Sequence, residues 1–180
     1  MPVRFTAMAL TRQKAGQGLD SFHIAHEIRY AVPRPRVWEA LVRGVNHWWP
    51  HRQLASDRPF INTVLLEPKI GGQFKERFSD GEGSLWATVV HIENQQVLRL
   101  SGPLGMLSAP VVSTFSYELR DIESGTLLSL THDCFGMLDE GWAERYHVGW
   151  LEILDVYLRA WLEHGKTSLN LNDEKRASRR

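Results

Sequence analysis

Residues 140–164, EGWAERYHVGWLEILDVYLRAWLEH, form the strongest local pattern in the chain. Large apolar side chains recur there at steps of three and four residues, and charged side chains occupy the opposite side. This spacing predicts an amphipathic helix of about 25 residues, about 37 Å long, with Gly165 placed to end it. A helix of this length needs an equally long apolar surface against which its apolar face can pack.

The rest of the sequence indicates that this surface is an antiparallel sheet. In residues 21–32, SFHIAHEIRYAV, apolar and polar side chains alternate as in a half-buried strand, and Pro33 ends it because proline donates no ladder hydrogen bond. Short turn signals such as Gly71-Gly72 and Ser124-Gly125 separate six further strand-like segments, which favours hairpins over parallel crossovers. With the first strand these segments make seven strands; they are residues 61–67, 73–78, 84–93, 97–101, 111–121 and 126–135.

Two short helices are predicted between the first and second strands. Pro35 suits a first helical turn, where its missing N–H costs nothing, and Trp38 and Leu41 follow at helical spacing. A second helical piece carries residues 46–49 before Pro50 stops it. The sequence therefore predicts an α+β fold.

Composition and charge exclude several classes of protein. The chain has 180 residues, 43% of them hydrophobic and 23% charged, as expected for one globular domain. Its formal net charge of zero excludes a globally basic nucleic-acid binder, and its single cysteine, Cys134, can form neither an internal disulfide nor a thiolate zinc site. Because no apolar run approaches the roughly 20 residues of a membrane span, and residues 1–20 lack the apolar block of a secretory signal, we expect a cytoplasmic protein.

The two ends of the chain differ from its body. Residues 1–20 carry a formal net charge of +2 and residues 166–180 carry +3, which leaves −5 on residues 21–165. Both ends lack hydrophobic periodicity. We therefore expect a flexible N-terminal extension over residues 1–20, a folded domain over 21–165 and a flexible basic tail over 166–180.

The order of one strand, two small helices, six strands and one long helix resembles the helix-grip fold of the START-like (SRPBCC) superfamily. The branch it resembles is that of the bacterial homologues of the activator of the heat-shock protein 90 ATPase. Four pieces carry the resemblance: residues 35–41 (PRVWEAL) with Trp48-Trp49 downstream, 71–74 (GGQF), 125–132 (GTLLSLTH) and Gly149-Trp150. The resemblance departs at Arg36, in the first helical turn, where the family more often has an acidic residue.

This resemblance implies a curved seven-stranded sheet that grips the long helix and leaves a cavity between them. Seven tryptophans favour an aromatic lining, although large aromatic side chains at helical spacing are also typical of a plain core. Alternation leaves open whether Trp86 or its neighbour Leu85 faces inward, and Gly149 suggests close helix–sheet contact or room for a ligand. The candidate ligand-binding residues are Trp38, Trp49, Phe74, Trp86, Phe115, Tyr117, Leu130, His132, Trp150, Leu154 and Tyr157.

Three functions remain open at this stage. The first is binding of a small apolar or aromatic molecule in the cavity, with a few polar groups to orient it. The second is a cyclase- or dehydratase-like enzyme in which His132, with Tyr157 or Glu76, moves protons on a molecule held in the same cavity. The third, implied by the family name, is a protein-interaction module that stimulates a chaperone ATPase. A binding role is favoured over catalysis, and His132 is equally well interpreted as a hydrogen-bonded core histidine.

The sequence carries no fingerprint of a cofactor or a metal site. It has no Gly-x-Ser-x-Gly elbow, phosphate loop or dinucleotide motif. His47 and His51 are four residues apart, but Pro50 interrupts their helix, and His23 and His26 lie on opposite faces of a strand. We therefore expect no metal and no cofactor, and the sequence does not choose between a monomer and a homodimer.

Overall fold

One antiparallel sheet dominates the computed structural model, which describes residues 6–15, 18–50, 63–79 and 81–177. Its strands follow the order β1-β2-β8-β7-β6-β5-β4-β3. The bounds are β1 (Thr6–Ala15), β2 (Leu19–Tyr30), β3 (Thr63–Leu66), β4 (Gln73–Arg77), β5 (Gly83–Glu93), β6 (Val97–Ser101), β7 (Val111–Ile122) and β8 (Gly125–Gly136). The α+β class and the run of hairpins from β3 to β8 are confirmed.

The described sheet has eight strands, so the expected number of seven was wrong by one. The additional strand, β1, lies within the segment expected to be an N-terminal extension, and it pairs with β2 from Thr6 opposite Glu27 to Ala15 opposite Leu19. An edge strand has one neighbour and needs only part of an apolar face, which in β1 includes Leu10 packed against the core. The alternation that marks a half-buried strand is therefore weak in this segment.

Alternation in β2 is confirmed residue by residue. Phe22, Ile24, His26, Ile28 and Tyr30 are all buried, whereas the residues between them are partly or fully exposed. This inner face continues across β8 and β7, which pair with each other over twelve residues each. The inner faces of these strands form the floor of the core.

A β-bulge in β5 explains why the sequence left the orientation of this strand open. Phe74 of β4 pairs with Ala87, whereas Lys75 pairs with Leu85, so that Trp86 is an extra residue without a partner on β4. Such an extra residue shifts the alternation of side chains between the two faces. Both Trp86 and the buried Ala87 consequently pack against the core, and Leu85 is exposed.

Two short helices close one side of the core. They are α1 (Arg34–Val42), which has a proline in its first turn as expected, and α2 (Val45–Trp48). The Trp48 indole donates to the Ala40 carbonyl oxygen at 2.8 Å and ties the second helix to the first. Arg36 donates through Nε to the Leu162 carbonyl oxygen at 3.3 Å, so this cation lies at the C-terminal end of another helix, where the helix dipole favours it.

The long C-terminal helix is confirmed, but it is not α-helical throughout. It consists of α3 (Trp142–Leu151), a π-helical segment (Glu152–Leu158) and α4 (Arg159–His164), and Gly165 ends it in the left-handed conformation. We call these three pieces the long helix. In the π-helical segment the carbonyl oxygen of Leu154 accepts a hydrogen bond from the Tyr30 hydroxyl of β2 at 2.8 Å.

A further helix, α5 (Ser168–Ala177), occupies most of the segment expected to be a flexible basic tail. The Tyr157 hydroxyl of the long helix donates to Asn172 Oδ1 at 2.8 Å, and Ser168 is fully buried. The tail therefore packs on the domain through polar contacts, which hydrophobic periodicity does not reveal.

Candidate functional site

Seven aromatic side chains meet between the long helix and the sheet, and we call them the aromatic cluster. The Trp49 ring, just after α2, lies 5.1 Å from Phe74 and 6.1 Å from Trp150 between centroids. Phe115 of β7 lies 5.7 Å from Trp150, so strands and helix meet at these rings. The members of the cluster are Trp49, Phe74, Trp86, Phe115, Tyr117, His132 and Trp150, all of them predicted site residues.

His132 lies in this cluster and is fully buried. The Trp150 indole donates to its Nδ1 at 3.0 Å, so its Nε2 carries the proton and donates to Ser113 Oγ at 2.7 Å. Burial lowers the pKa of His132 to about 3, because a charged imidazole would lose its hydration there. The ring is neutral at pH 7, and both of its nitrogens are already occupied.

The remaining predicted residues divide into two groups. Leu130 and Leu154 are buried in the same core and support the rings of the cluster. Trp38 is also buried, in α1, whereas the Tyr157 hydroxyl reaches α5 through its bond to Asn172. This hydrogen bond therefore joins the Tyr157 hydroxyl to α5 and not to His132.

The hollow expected between helix and sheet is largely filled by the aromatic cluster and its neighbours. A cavity of about 10 Å³ remains there, at the rings beside α1 and α2. This is about the room that one water molecule needs, and far below the several hundred Å³ of a typical small-molecule site. Its lining is Leu41, Val45, Trp48, Trp49, Leu66, Phe74, Leu98, Leu100, Phe115 and Tyr117.

Sequence reasoning missed Tyr146, which completes the cluster on the side of α3. Its ring stacks on Phe22 at 5.9 Å and meets His132 edge to face at 5.3 Å. Its hydroxyl donates to the carbonyl oxygen of Leu104 in the β6–β7 connection. The spacing of four residues between Tyr146 and Trp150 could have revealed it, since such residues share a helix face.

The two glycine motifs of the resemblance behave differently. Gly71 has φ +75°, and a Cβ on Gly72 would lie 2.0 Å from the Glu67 carbonyl oxygen, so the expected close backbone approach is present. A Cβ on Gly149, by contrast, would meet no described atom within 4 Å outside the backbone of its own helix and its two chain neighbours. Close helix–sheet contact therefore does not explain Gly149.

The histidine pairs considered as metal ligands lie apart from the cluster. His47 stacks on Trp161 at 4.6 Å, and His51 lies outside the described residues. His23 pairs with Asp133, and His26 lies 4.7 Å from His147. Over the described ranges no group of three His, Cys, Asp or Glu side chains is placed to hold a metal ion, and none of the described helices combines the length and apolar character needed to cross a membrane.

Several solved structures share this architecture. The protein CV1439 from Chromobacterium violaceum matches with a TM-score of 0.60 at 20% identity, over 78% of this chain and 96% of its own. An uncharacterised protein from Rhizobium leguminosarum matches at 0.58 and 18%, over 85% and 98%. CalU16 from Micromonospora echinospora matches at 0.56 and 21%, over 87% and 85%. At these identities the likeness shows the fold alone.

No curated protein matches the sequence. A family model does match, and it covers residues 31–163, from the end of β2 to the end of the long helix. This range contains all four pieces on which the resemblance rests. The chain therefore belongs to the family described as Activator of Hsp90 ATPase homolog 1-like protein.

Proposed function

We propose that the chain binds a small apolar or aromatic molecule between the long helix and the sheet, at the aromatic cluster. The observation that carries the proposal is the small cavity at Trp49 and Phe115, which lies among apolar and aromatic side chains. An apolar gap beside large rings is the place where those rings can shift at least cost, because no polar group that lines the gap has to lose a partner. The fold of the family, in which a sheet grips a helix, supports a ligand at the same position.

The size of the cavity determines how such a molecule would bind. A void of about 10 Å³ admits no organic ligand, so rings of the cluster have to move aside. Edge-to-face ring pairs such as Trp49–Phe74 contribute only about 0.5–1.5 kcal/mol beyond their burial, and a bound aromatic or acyl group replaces them with contacts of the same kind. The apparent affinity is then the intrinsic affinity multiplied by the fraction of molecules in which the rings have already shifted, and this fraction is small.

Binding is favoured over proton-transfer catalysis by the state of His132. Both of its ring nitrogens are hydrogen-bonded, to Trp150 and Ser113, and its lowered pKa keeps it neutral. A general acid or base works best with a pKa near the operating pH. The family description also names an ATPase activator, but a buried cluster presents no surface to a protein partner.

The test is ligand binding by a variant in which the cavity is filled. Leu66 lines the cavity from the edge strand β3 and is only half-buried, so Leu66→Phe can fill the gap without straining a central strand. Leu65→Phe makes the same change at the adjacent position, whose side chain points to the opposite face of β3. Both are compared with the natural chain by tryptophan fluorescence against a panel of aromatic and acyl compounds.

We expect at least one compound to change the fluorescence of the natural chain and of Leu65→Phe, and to bind Leu66→Phe at least tenfold more weakly. Native mass spectrometry of the protein isolated from its own host should then show a retained small molecule. If no compound binds, or if the two variants bind equally well, the proposed site is wrong.

A further inference from the structure

A groove of about 480 Å³ lies on the outer face of the sheet, where β1, β2, β8 and β7 run side by side. It is separate from the aromatic cluster, since His23 lines the groove whereas the next residue, Ile24, is buried in the core. Its volume lies within the roughly 300–1,000 Å³ of small-molecule sites. The groove therefore has room for an organic molecule without any movement of side chains.

Strand register lines up four polar side chains across this groove, and we call them the polar row. Thr11 of β1 lies opposite His23 of β2, His23 lies opposite Asp133 of β8, and Asp133 lies opposite Thr114 of β7. Residues that lie directly opposite each other share a face of the sheet. Because neighbouring strands are about 4.8 Å apart, the row is about 14 Å long.

The polar row offers hydrogen bonds along its whole length. His23 Nδ1 lies 2.6 Å from Asp133 Oδ1, and since a carboxylate accepts, this nitrogen carries a proton. In the neutral ring Nε2 is then an acceptor for a bound molecule. The hydroxyls of Thr11 and Thr114, at the two ends, can each donate or accept. A molecule that uses the row needs several hydrogen-bonding groups spread along it.

An apolar pair lies beside the polar row on the same face. Val112 is 71% exposed and lies opposite Phe135, which is 47% exposed. The pair is two residues along β7 and β8 from Thr114 and Asp133, which places it about 7 Å from the row. The groove thus presents a ring and an aliphatic side chain next to a line of polar groups.

The charges of the groove restrict what it can hold. The described residues that line it include no lysine or arginine, so a phosphate or carboxylate would meet Asp133 without a permanent cation to pair with. An amine could pair with Asp133, but it would satisfy the row at one point only. A neutral molecule with many hydroxyls can meet the row at several points.

We infer that this groove binds a neutral saccharide. A sugar ring has an apolar C–H face that can lie on Phe135, because the face of an aromatic ring attracts weakly positive C–H groups. The hydroxyls at the rim of the same sugar ring reach the polar row, which is longer than one ring and accommodates two linked rings. The inference does not rest on the proposed function, since the two sites lie on opposite faces of the sheet.

The test is titration of the isotope-labelled chain with cellobiose, maltose and lactose, followed by the amide resonances in nuclear magnetic resonance. Phe135→Ala removes the apolar platform, and its control is Leu85→Ala on β5, which removes an equally exposed side chain outside the groove. His23→Ala removes the central acceptor, and its control is His91→Ala, from an exposed histidine–carboxylate pair on β5. Thr114→Val deletes a single hydroxyl at nearly constant shape and is a third test if either larger change disturbs the fold.

We expect at least one disaccharide to shift the resonances of the polar row in the natural chain. Phe135→Ala and His23→Ala should weaken this binding at least about fivefold, within the range of one lost hydrogen bond for the histidine. The two controls should change it less than twofold. The inference is overturned if no disaccharide binds, if only resonances of the aromatic cluster shift, or if the variants bind like their controls. Tighter binding of glucuronate or phenethylamine than of every neutral sugar would show that the assigned class is wrong.

Discussion

Two buried histidines should make the stability of this protein fall steeply in mild acid. His132 is fully buried and burial lowers its pKa to about 3, whereas an unfolded histidine has a pKa of about 6.5. His26 is 1% exposed. Burial is the main cause that lowers its pKa as well, and the nearby His147 lowers this pKa further. In the folded protein both rings therefore stay neutral at pH values where the unfolded chain binds protons.

The sign and size of the effect follow from linkage. Above pH 6.5 neither state is protonated at His132, so this residue contributes no pH dependence there. Between pH 6.5 and about 3 the unfolded state holds one proton more, and stability falls by about 1.4 kcal/mol for each pH unit. At pH 5 the loss from His132 alone is on the order of 2 kcal/mol, a large part of the 5–15 kcal/mol typical of a domain.

The assay is urea unfolding of the natural chain and of His132→Gln at several pH values between 7.5 and 4.5. Glutamine keeps a donor and an acceptor for Ser113 and Trp150 but does not titrate in this range. We expect the free energy of unfolding of the variant to fall less steeply below pH 6.5, by about 1.4 kcal/mol per pH unit. Parallel curves would show that His132 is protonated in the folded state and would refute its assignment as a neutral core residue.

Three further substitutions test the packing of the helix and the sheet. Gly149→Ala should raise the free energy of unfolding by about 0.5–1 kcal/mol. The position is in mid-helix, and outside the helix's own backbone and its two chain neighbours no described atom lies within 4 Å of the new Cβ. Thermal unfolding measures this gain in stability. Gly125→Ala should lower the free energy of unfolding by more than about 1 kcal/mol, since φ is +134° and the new Cβ would lie 2.2 Å from the Tyr30 carbonyl oxygen; an unchanged melting temperature would contradict this. Tyr30→Phe should cost about 1–3 kcal/mol in urea unfolding, because the buried Leu154 carbonyl oxygen loses the Tyr30 donor; an unchanged free energy of unfolding would contradict this.

The parts of the fold that the sequence predicts well are those with a strong local period. The long helix begins within two residues of its predicted start and ends at His164 as predicted, because its apolar stripe is continuous. The inner face of β2 follows strict alternation for the same reason. Edge elements lack such a signal: β1 has one neighbour, and α5 is held by contacts such as Tyr157 to Asn172.

The faces of the strands around the site could not be predicted in the same way. Alternation assumes a constant period of two, and the bulge at Trp86 breaks that period by one residue. The register of β7 against β8 places Ser113 within reach of His132, but pairing register depends on turn geometry and packing together. Residue types therefore identified the rings of the cluster, whereas strand pairing set which of them meet.

Composition also could not decide between a hollow and a packed core, because the same large rings can line one or fill the other. In this chain they fill it. The Trp150 indole donates a hydrogen bond to His132, and Leu104, from the connection between β6 and β7, is buried in the same core. The residues that would contact a ligand are thus the residues that stabilise the ligand-free fold. Under the proposed function, a molecule that binds here has to replace those ring contacts with contacts of the same kind, so its net affinity is the gain from the new contacts less the free energy needed to move the rings.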